Sequence, residues 1–134
     1  EFYTLCRRHL RPHGVLVTQA GSPYYAAESF ESILKTVEAA GFSALPMHNQ
    51  ILTMGEWGWV LGANNDVTDG AIIEALEKAD FSGTRTRWLN NEAIGLITSF
   101  GKDFFKESYD TIKVNKIHDP VLYRYYLKGS WDLY

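Results

Sequence analysis

Apolar positions along this chain recur with two periods, and the switches between them mark the elements. Phe2, Leu5, Cys6 and Leu10 return at helical spacing until Arg11-Pro12-His13-Gly14 breaks the pattern. Val15-Leu16-Val17-Thr18-Gln19 follows, an apolar and β-branched run bounded by turn residues, as expected of a buried strand. Ser22 is placed to cap a helix whose first position is Pro23, where a missing N–H does no harm. Phe30, Ile33, Leu34 and Val37 would line one face of that helix, and Gly41 would end it. Residues 42–48 and 56–62 read as two strands joined through Thr53-Met54-Gly55, most simply an antiparallel hairpin. Pro46 cannot donate to a ladder, so its strand belongs at an edge. Three helices are expected beyond. Residues 69–79 carry Ile72, Ile73 and Leu76 on one side. Asn90 caps 91–100, with Ile94 and Ile97 inward and Gly101 as the stop, and Pro120 opens 120–127. Residues 80–87 read as loop.

The 134 residues make one domain with its own core and are too few for two. Residues 1–67 form its α/β portion with the hairpin, and 68–134 a mainly helical extension. A net charge of −3 leaves no overall basic field for a nucleic-acid backbone, so no nucleic-acid partner is expected. A single cysteine, Cys6, excludes an internal disulfide and any multi-cysteine metal site, and its place on the apolar side of the first helix reads as packing. No apolar run approaches the roughly 20 residues that span a bilayer, so no membrane contact is expected of this segment. Glu1-Phe2-Tyr3 enters a helical pattern at once, with neither signal peptide nor initiator Met, which reads as a fragment of a longer chain.

Four stretches carry a family likeness. Phe2-Tyr3 with Leu10-Arg11-Pro12-His13-Gly14-Val15-Leu16-Val17-Thr18-Gln19-Ala20 resembles the helix, turn and strand that follow the catalytic loop of polyamine aminopropyltransferases, the spermidine synthase family. Phe30, Thr36 and Gly41-Phe42 are similar to the helix after it. Gly55-Glu56-Trp57-Gly58-Trp59-Val60-Leu61 resembles the family's Gly-x-Trp-Gly/Ser-Phe hairpin strand. Thr86-Arg87-Trp88-Leu89-Asn90-Asn91-Glu92 resembles its Tyr-Tyr/Leu-Asn-x-Glu segment. The nearer likeness is to bacterial members with an N-terminal membrane region, which implies a cytoplasmic segment of a parent anchored in the inner membrane.

The resemblance implies the C-terminal portion of a Rossmann-like, class I methyltransferase fold: a short sheet ending in an antiparallel hairpin, with C-terminal helices. It implies a parent that moves an aminopropyl group from decarboxylated S-adenosylmethionine to putrescine or a related diamine. With the preceding strand of that sheet absent from this stretch, residues 15–19, apolar and without Lys or Pro, would present an open edge, so the fragment is expected to be a homo-oligomer. The glycine-rich turn that cradles the nucleoside is absent from this stretch, as is its acidic ribose partner. The family's Asp-rich loop would precede Glu1. No catalytic residue and no bound cofactor are therefore expected in this chain, which alone should be inactive. Two substrate-binding residues carry over: Gln19, whose strand-end amide can hold an amine or simply satisfy a loop, and Trp57, part of the substrate wall or of the hairpin core. Glu56 would face away from Trp57. Leu52 stands where the family often has Tyr, which removes a hydroxyl and puts the diamine preference in doubt.

His9, His13, His48 and His118 are scattered without a metal-ligand spacing or a carboxylate triad, so no metal site is expected. Asp66 and Asp69 read as capping or loop residues. Lys102, Asp103, Lys106 and Glu107 read as a solvated face, and Ser22 lacks the frame of a hydrolase elbow. The two rival readings are a class I methyltransferase segment and a non-catalytic interaction domain that keeps the fold.

Overall fold

The computed structural model describes residues 1–64, 67–105 and 107–131. Asp66, Lys106, the Glu107 side chain and the last three residues of the tail lie outside that description. Helix α1 (Phe2–His9) leads into β1 (Val15–Gly21), then α2 (Ala27–Ala39) and the hairpin of β2 (Ser43–Ile51) and β3 (Gly55–Ala63). Helices α3 (Asp69–Glu77) and α4 (Asn91–Ile97), a short 3-10 turn and α5 (Leu122–Leu127) complete the order.

The sheet order is β1-β3-β2, with both pairs antiparallel. Pro46 therefore sits on an edge strand, opposite Val60, as its missing N–H requires. Alternation along β3 divides two cores. Val60 faces α2, where Phe30, Leu34 and Val37 are buried with Ala20, Phe42 and Ala44. Leu61 and Ala63 face the other way and meet Leu45 and Ile72, with Ile73 and Leu76 of α3 alongside. Gly58 and Gly62 keep the α2 side of β3 low. A Cβ on Gly58 would stand 2.5 Å from Phe30 Cε2 and 2.8 Å from the Gly21 carbonyl, and one on Gly62 would stand 3.0 Å from Phe42.

Several local expectations shift. Ser22 does not cap the helix: its Oγ accepts from Tyr25 N at 3.2 Å and closes a turn, and α2 begins at Ala27. Gly41 does stop α2, at φ +91°. Thr68, not Asp69, caps α3, its Oγ1 accepting from Ala71 N at 3.2 Å. Asn90 caps α4 as expected, but that helix ends at Ile97, which frees Phe100 to turn inward toward Phe30 at 5.9 Å between ring centres. The apolar stripe of α1 is only partly used. Tyr3 and Leu10 pack on the core and Cys6 is half-buried, while Phe2 and Leu5 are 68% and 56% exposed. Lys102 and Asp103 are exposed.

Among the described residues, β1 has a partner on one side only. Val15 and Val17 are 58% and 52% exposed, and no Lys or Pro within the run blunts pairing. In the C-terminal segment, helix α5 lies against α2. No helix among the described residues is long and apolar enough to cross a membrane.

Two expectations follow from this packing. Gly58→Ala should cost about 1–3 kcal/mol, because Phe30 is fully buried and the backbone beside it cannot give way. Urea denaturation reads this directly, and an unchanged midpoint would show that Phe30 has room to move. The 134-residue chain by itself should also form a dimer through the open, apolar edge of β1. Sedimentation would test it, and a monomer with solvent-protected amides at Val15, Leu16 and Val17 would overturn it.

Candidate functional site

In open α/β sheets, ligands gather outside the carboxyl ends of the strands. Here the carboxyl end of β1 is irregular. Gln19 pairs with Trp59, but the next pair is Gly21 with Gly58, so Ala20 is an extra residue in a β-bulge. Gly21 adopts φ +76°, which lets the chain leave the sheet abruptly for Ser22 and Pro23. The ladder ends one pair beyond the bulge, at Gly21 and Gly58, and Gln19 lies on the exposed face it shares with Val15 and Val17.

A cavity of about 380 Å³ opens at this point. Residues 19–21 form one side, Ser29 and Ile33 of α2 another, and Trp57 of β3 a third. Leu122, Tyr123 and Tyr126 of α5 close it. Gln19 and Trp57, 38 positions apart by subtraction of their numbers, thus share one space. The Trp57 indole nitrogen is buried and has no hydrogen-bond partner among the described residues. Among those residues no charged side chain lines the cavity. It offers aromatic walls and an exposed amide, a surface suited to methylenes and a neutral nitrogen.

Glu56 alternates away from Trp57, as expected, and finds a partner that sequence reading missed. His48 Nδ1 contacts the Glu56 carboxylate, and His48 Nε2 lies 2.7 Å from the Ser99 carbonyl oxygen. Both ring nitrogens are thus engaged, one by a side chain and one by the backbone. The pair ties the hairpin to the segment after α4. Phe100 packs on the imidazole at 4.5 Å, and Tyr24 meets its edge at 5.9 Å. Burial first, and then the Glu56 charge, push the Tyr24 phenol above its ordinary range, so it remains a donor. The signal for this pair was the hairpin register: Gln50 opposes Glu56 and His48 opposes Gly58, which makes His48 and Glu56 diagonal neighbours on one face. Leu52 is 99% exposed at the hairpin turn, away from the cavity, so its departure from Tyr does not alter the walls described above. Among the described residues, no group of three His, Cys, Asp or Glu side chains gathers where a metal ion could sit.

Residues 1–69 match the spermine/spermidine synthase domain. The chain belongs to that family. A polyamine aminopropyltransferase of Oceanobacillus iheyensis is 32% identical over 135 residues, a match that takes in 100% of this chain and 25% of that protein. Polyamine aminopropyltransferase 2 of Aquifex aeolicus is 37% identical over 128 residues, with 96% of this chain and 24% of that protein covered. The chain therefore spans about a quarter of the length of the curated relatives it matches. A crystal structure of spermidine synthase in complex with the transition-state analogue AdoDATO superposes with a TM-score of 0.62 at 16% identity, covering 82% of this chain and 38% of that one. That likeness gives the fold: a C-terminal portion of the Rossmann-like methyltransferase architecture, ending in the reversed hairpin β2–β3.

Removing the histidine clamp should be felt in stability. His48→Ala is expected to destabilise the chain by about 1–3 kcal/mol, leaving Glu56 and the Ser99 carbonyl without their donor. Glu56→Gln, whose amide oxygen still accepts, should cost less. Urea titration of both variants decides it, and equal, near-zero changes would show that the clamp contributes nothing.

Proposed function

We propose that the whole protein transfers an aminopropyl group from decarboxylated S-adenosylmethionine to putrescine or a related diamine, and that this chain supplies part of the diamine side of the site. The observation that supports this reading is the convergence of Gln19 and Trp57 on one uncharged cavity at the carboxyl end of β1. In such a transfer a neutral amine nitrogen attacks the carbon next to the sulfonium sulfur. The C–N bond forms as the C–S bond breaks, the bonding pair returns to sulfur, and the amine proton passes to a base. Gln19 would orient the attacking amine, directly or through water. Trp57 would hold the methylenes and exclude water, which keeps the nucleophile unprotonated and the electrophile unhydrolysed.

The lining contributes no carboxylate among the described residues, so in this reading the ammonium end of the diamine and the departing proton are handled by residues outside this chain. The same division makes the isolated chain inert and gives it no hold on the nucleoside. Attachment of the whole protein to the inner membrane through a region preceding Glu1 belongs to this proposal too, with the present segment on the cytoplasmic side.

The test is kinetic and uses the whole protein. Gln19→Ala and Trp57→Ala should each lower kcat/KM for the diamine by about tenfold to a hundredfold, with KM for decarboxylated S-adenosylmethionine nearly unchanged. The purified 134-residue chain, as the control arm, should give no turnover. Folded variants with normal diamine kinetics would remove Gln19 and Trp57 from the site, and turnover by the isolated chain would refute the division of labour.

A further inference from the structure

The cavity at the end of β1 has a wall that lies outside the residues matching the synthase domain. That domain covers 1–69, whereas Tyr123 and Tyr126 come from α5. A six-residue helix has little stability of its own and must be held by its surroundings. Here it is strapped to α2 at both ends. Asn115 Oδ1 accepts from Val121 N at 3.0 Å and from Leu122 N at 3.1 Å, which satisfies the first turn. Asn115 N in turn donates to Thr36 Oγ1 at 2.9 Å, and Ser32 Oγ donates to the Lys113 carbonyl at 2.8 Å. At the far end Ser130 N donates to the Tyr25 carbonyl at 2.8 Å, and Lys128 Nζ pairs with Glu28 at 2.9 Å. Val121, at 4% exposed, is the apolar pin between them.

The result of so much anchoring is that two tyrosines stand beside Gln19 and Trp57 while remaining uncovered. Tyr123 is 69% exposed and Tyr126 43%. Tyr126 is further braced by Trp131, whose ring lies 4.5 Å away and whose Nε1 donates to the Tyr126 carbonyl at 2.8 Å. Large, oriented aromatic rings left open on a firmly held helix are poor value for folding and suited to contact with a ligand. With Trp57 they make three aromatic walls around a space of about 380 Å³ that no described charged side chain enters. Such walls take methylenes by contact area and tolerate a cationic nitrogen over a ring face, but they cannot by themselves pair an ammonium group.

We propose that Tyr123 and Tyr126 contact the methylene chain of the diamine and set how long a diamine the site accepts. The proposal rests on the function read above and adds α5 to the site as a specificity element. Aromatic contact discriminates by length because each methylene gained or lost at an apolar wall changes the affinity by a definite step.

The decisive variant is Tyr123→Ala in the whole protein, since an exposed side chain is removed without opening the core. Tyr126→Ala is secondary, because Trp131 leans on that ring. Initial rates are compared for putrescine and for the longer cadaverine, at saturating and limiting decarboxylated S-adenosylmethionine. Tyr123→Ala should raise the diamine KM roughly tenfold and shrink the wild-type difference between the two diamines, while the co-substrate KM and the thermal midpoint hold. Tyr123→Phe and Tyr126→Phe should behave as wild type, since the ring and not the hydroxyl does the work. A folded Tyr123→Ala protein with unchanged diamine KM and unchanged length preference would overturn the proposal, as would an equal rise in KM for both substrates. An active wild type with indifferent α5 variants overturns this inference alone; a wild type inert toward every diamine overturns the functional reading and this inference with it.

Discussion

The carboxyl end of the sheet depends on a single close contact, that of Phe30 with the bare backbone at Gly58. Phe30 is fully buried, and its ring occupies the place where any side chain at 58 would stand. Gly21 presses in from the third side, its carbonyl oxygen 2.8 Å from the same point. One contact thus seats the first turns of α2 on β3 and fixes where β1 must end. The bulge at Ala20 and the positive φ of Gly21 are the backbone's answer to that constraint, and together they leave Gln19 at a free strand end beside Trp57. A Cβ at 58 would push α2 outward, and the cavity would lose the alignment of its walls before it lost any of its residues.

The elements were largely legible in the sequence because their signals are local. The 3.6-residue stripe of Phe30, Leu34 and Val37, the Gly41 stop, the Asn90 cap and the edge placement of Pro46 each follow from one residue's own chemistry. The misses came where a local signal met a tertiary competitor. Ser22-Pro23 is a good helix start in isolation, yet the Ser22 hydroxyl is spent on Tyr25 N to turn the chain out of the bulge. Residues 91–100 are helical by pattern, but Phe100 gains more by burying itself among Phe30, Phe104 and His48 than by extending α4. The candidate cavity draws on both kinds of signal. Gln19 and Trp57 stand at motif positions, whereas α5 has no motif and is placed through the distant bonds of Asn115 to Thr36 and of Ser130 to Tyr25.

The histidine clamp shows how the extension beyond the hairpin is tied to the sheet. Helices α3 and α4 bury little of their own surface, with Ile72 and Ile94 their only fully buried residues among those described. What holds the following segment is a polar tether, His48 between Glu56 and Ser99, roofed by an aromatic cluster in which Phe100 and Phe104 stand 4.8 Å apart. Polar tether and aromatic roof reinforce each other. The rings cover part of the imidazole, and the tether places that imidazole against Phe100. Tyr24, in the turn after β1, meets both His48 and Phe104 and so joins that turn to the cluster.

The neutrality of the cavity has a physical reason in the chemistry proposed for it. An amine attacks only when its lone pair is free, and a charged wall along the methylenes, unlike the base that takes the proton, would favour the ammonium form that cannot attack. A wall of Gln19, Trp57, Tyr123 and Tyr126 holds the nitrogen and its methylenes without offering that stabilisation. Charge must still be placed somewhere, because the far end of a diamine is an ammonium group that needs a partner once water is excluded. The uncharged half of the site thus requires a charged half, supplied from outside the present residues. The exposed, apolar edge of β1 leads directly into Gln19, so the strand that would pair with it lies next to the same cavity. The open edge would then be the surface through which the other half of the proposed site is delivered. In the function proposed above, the open edge and the uncharged cavity would be two aspects of one division, in which the three strands described here provide shape and charge comes from other residues.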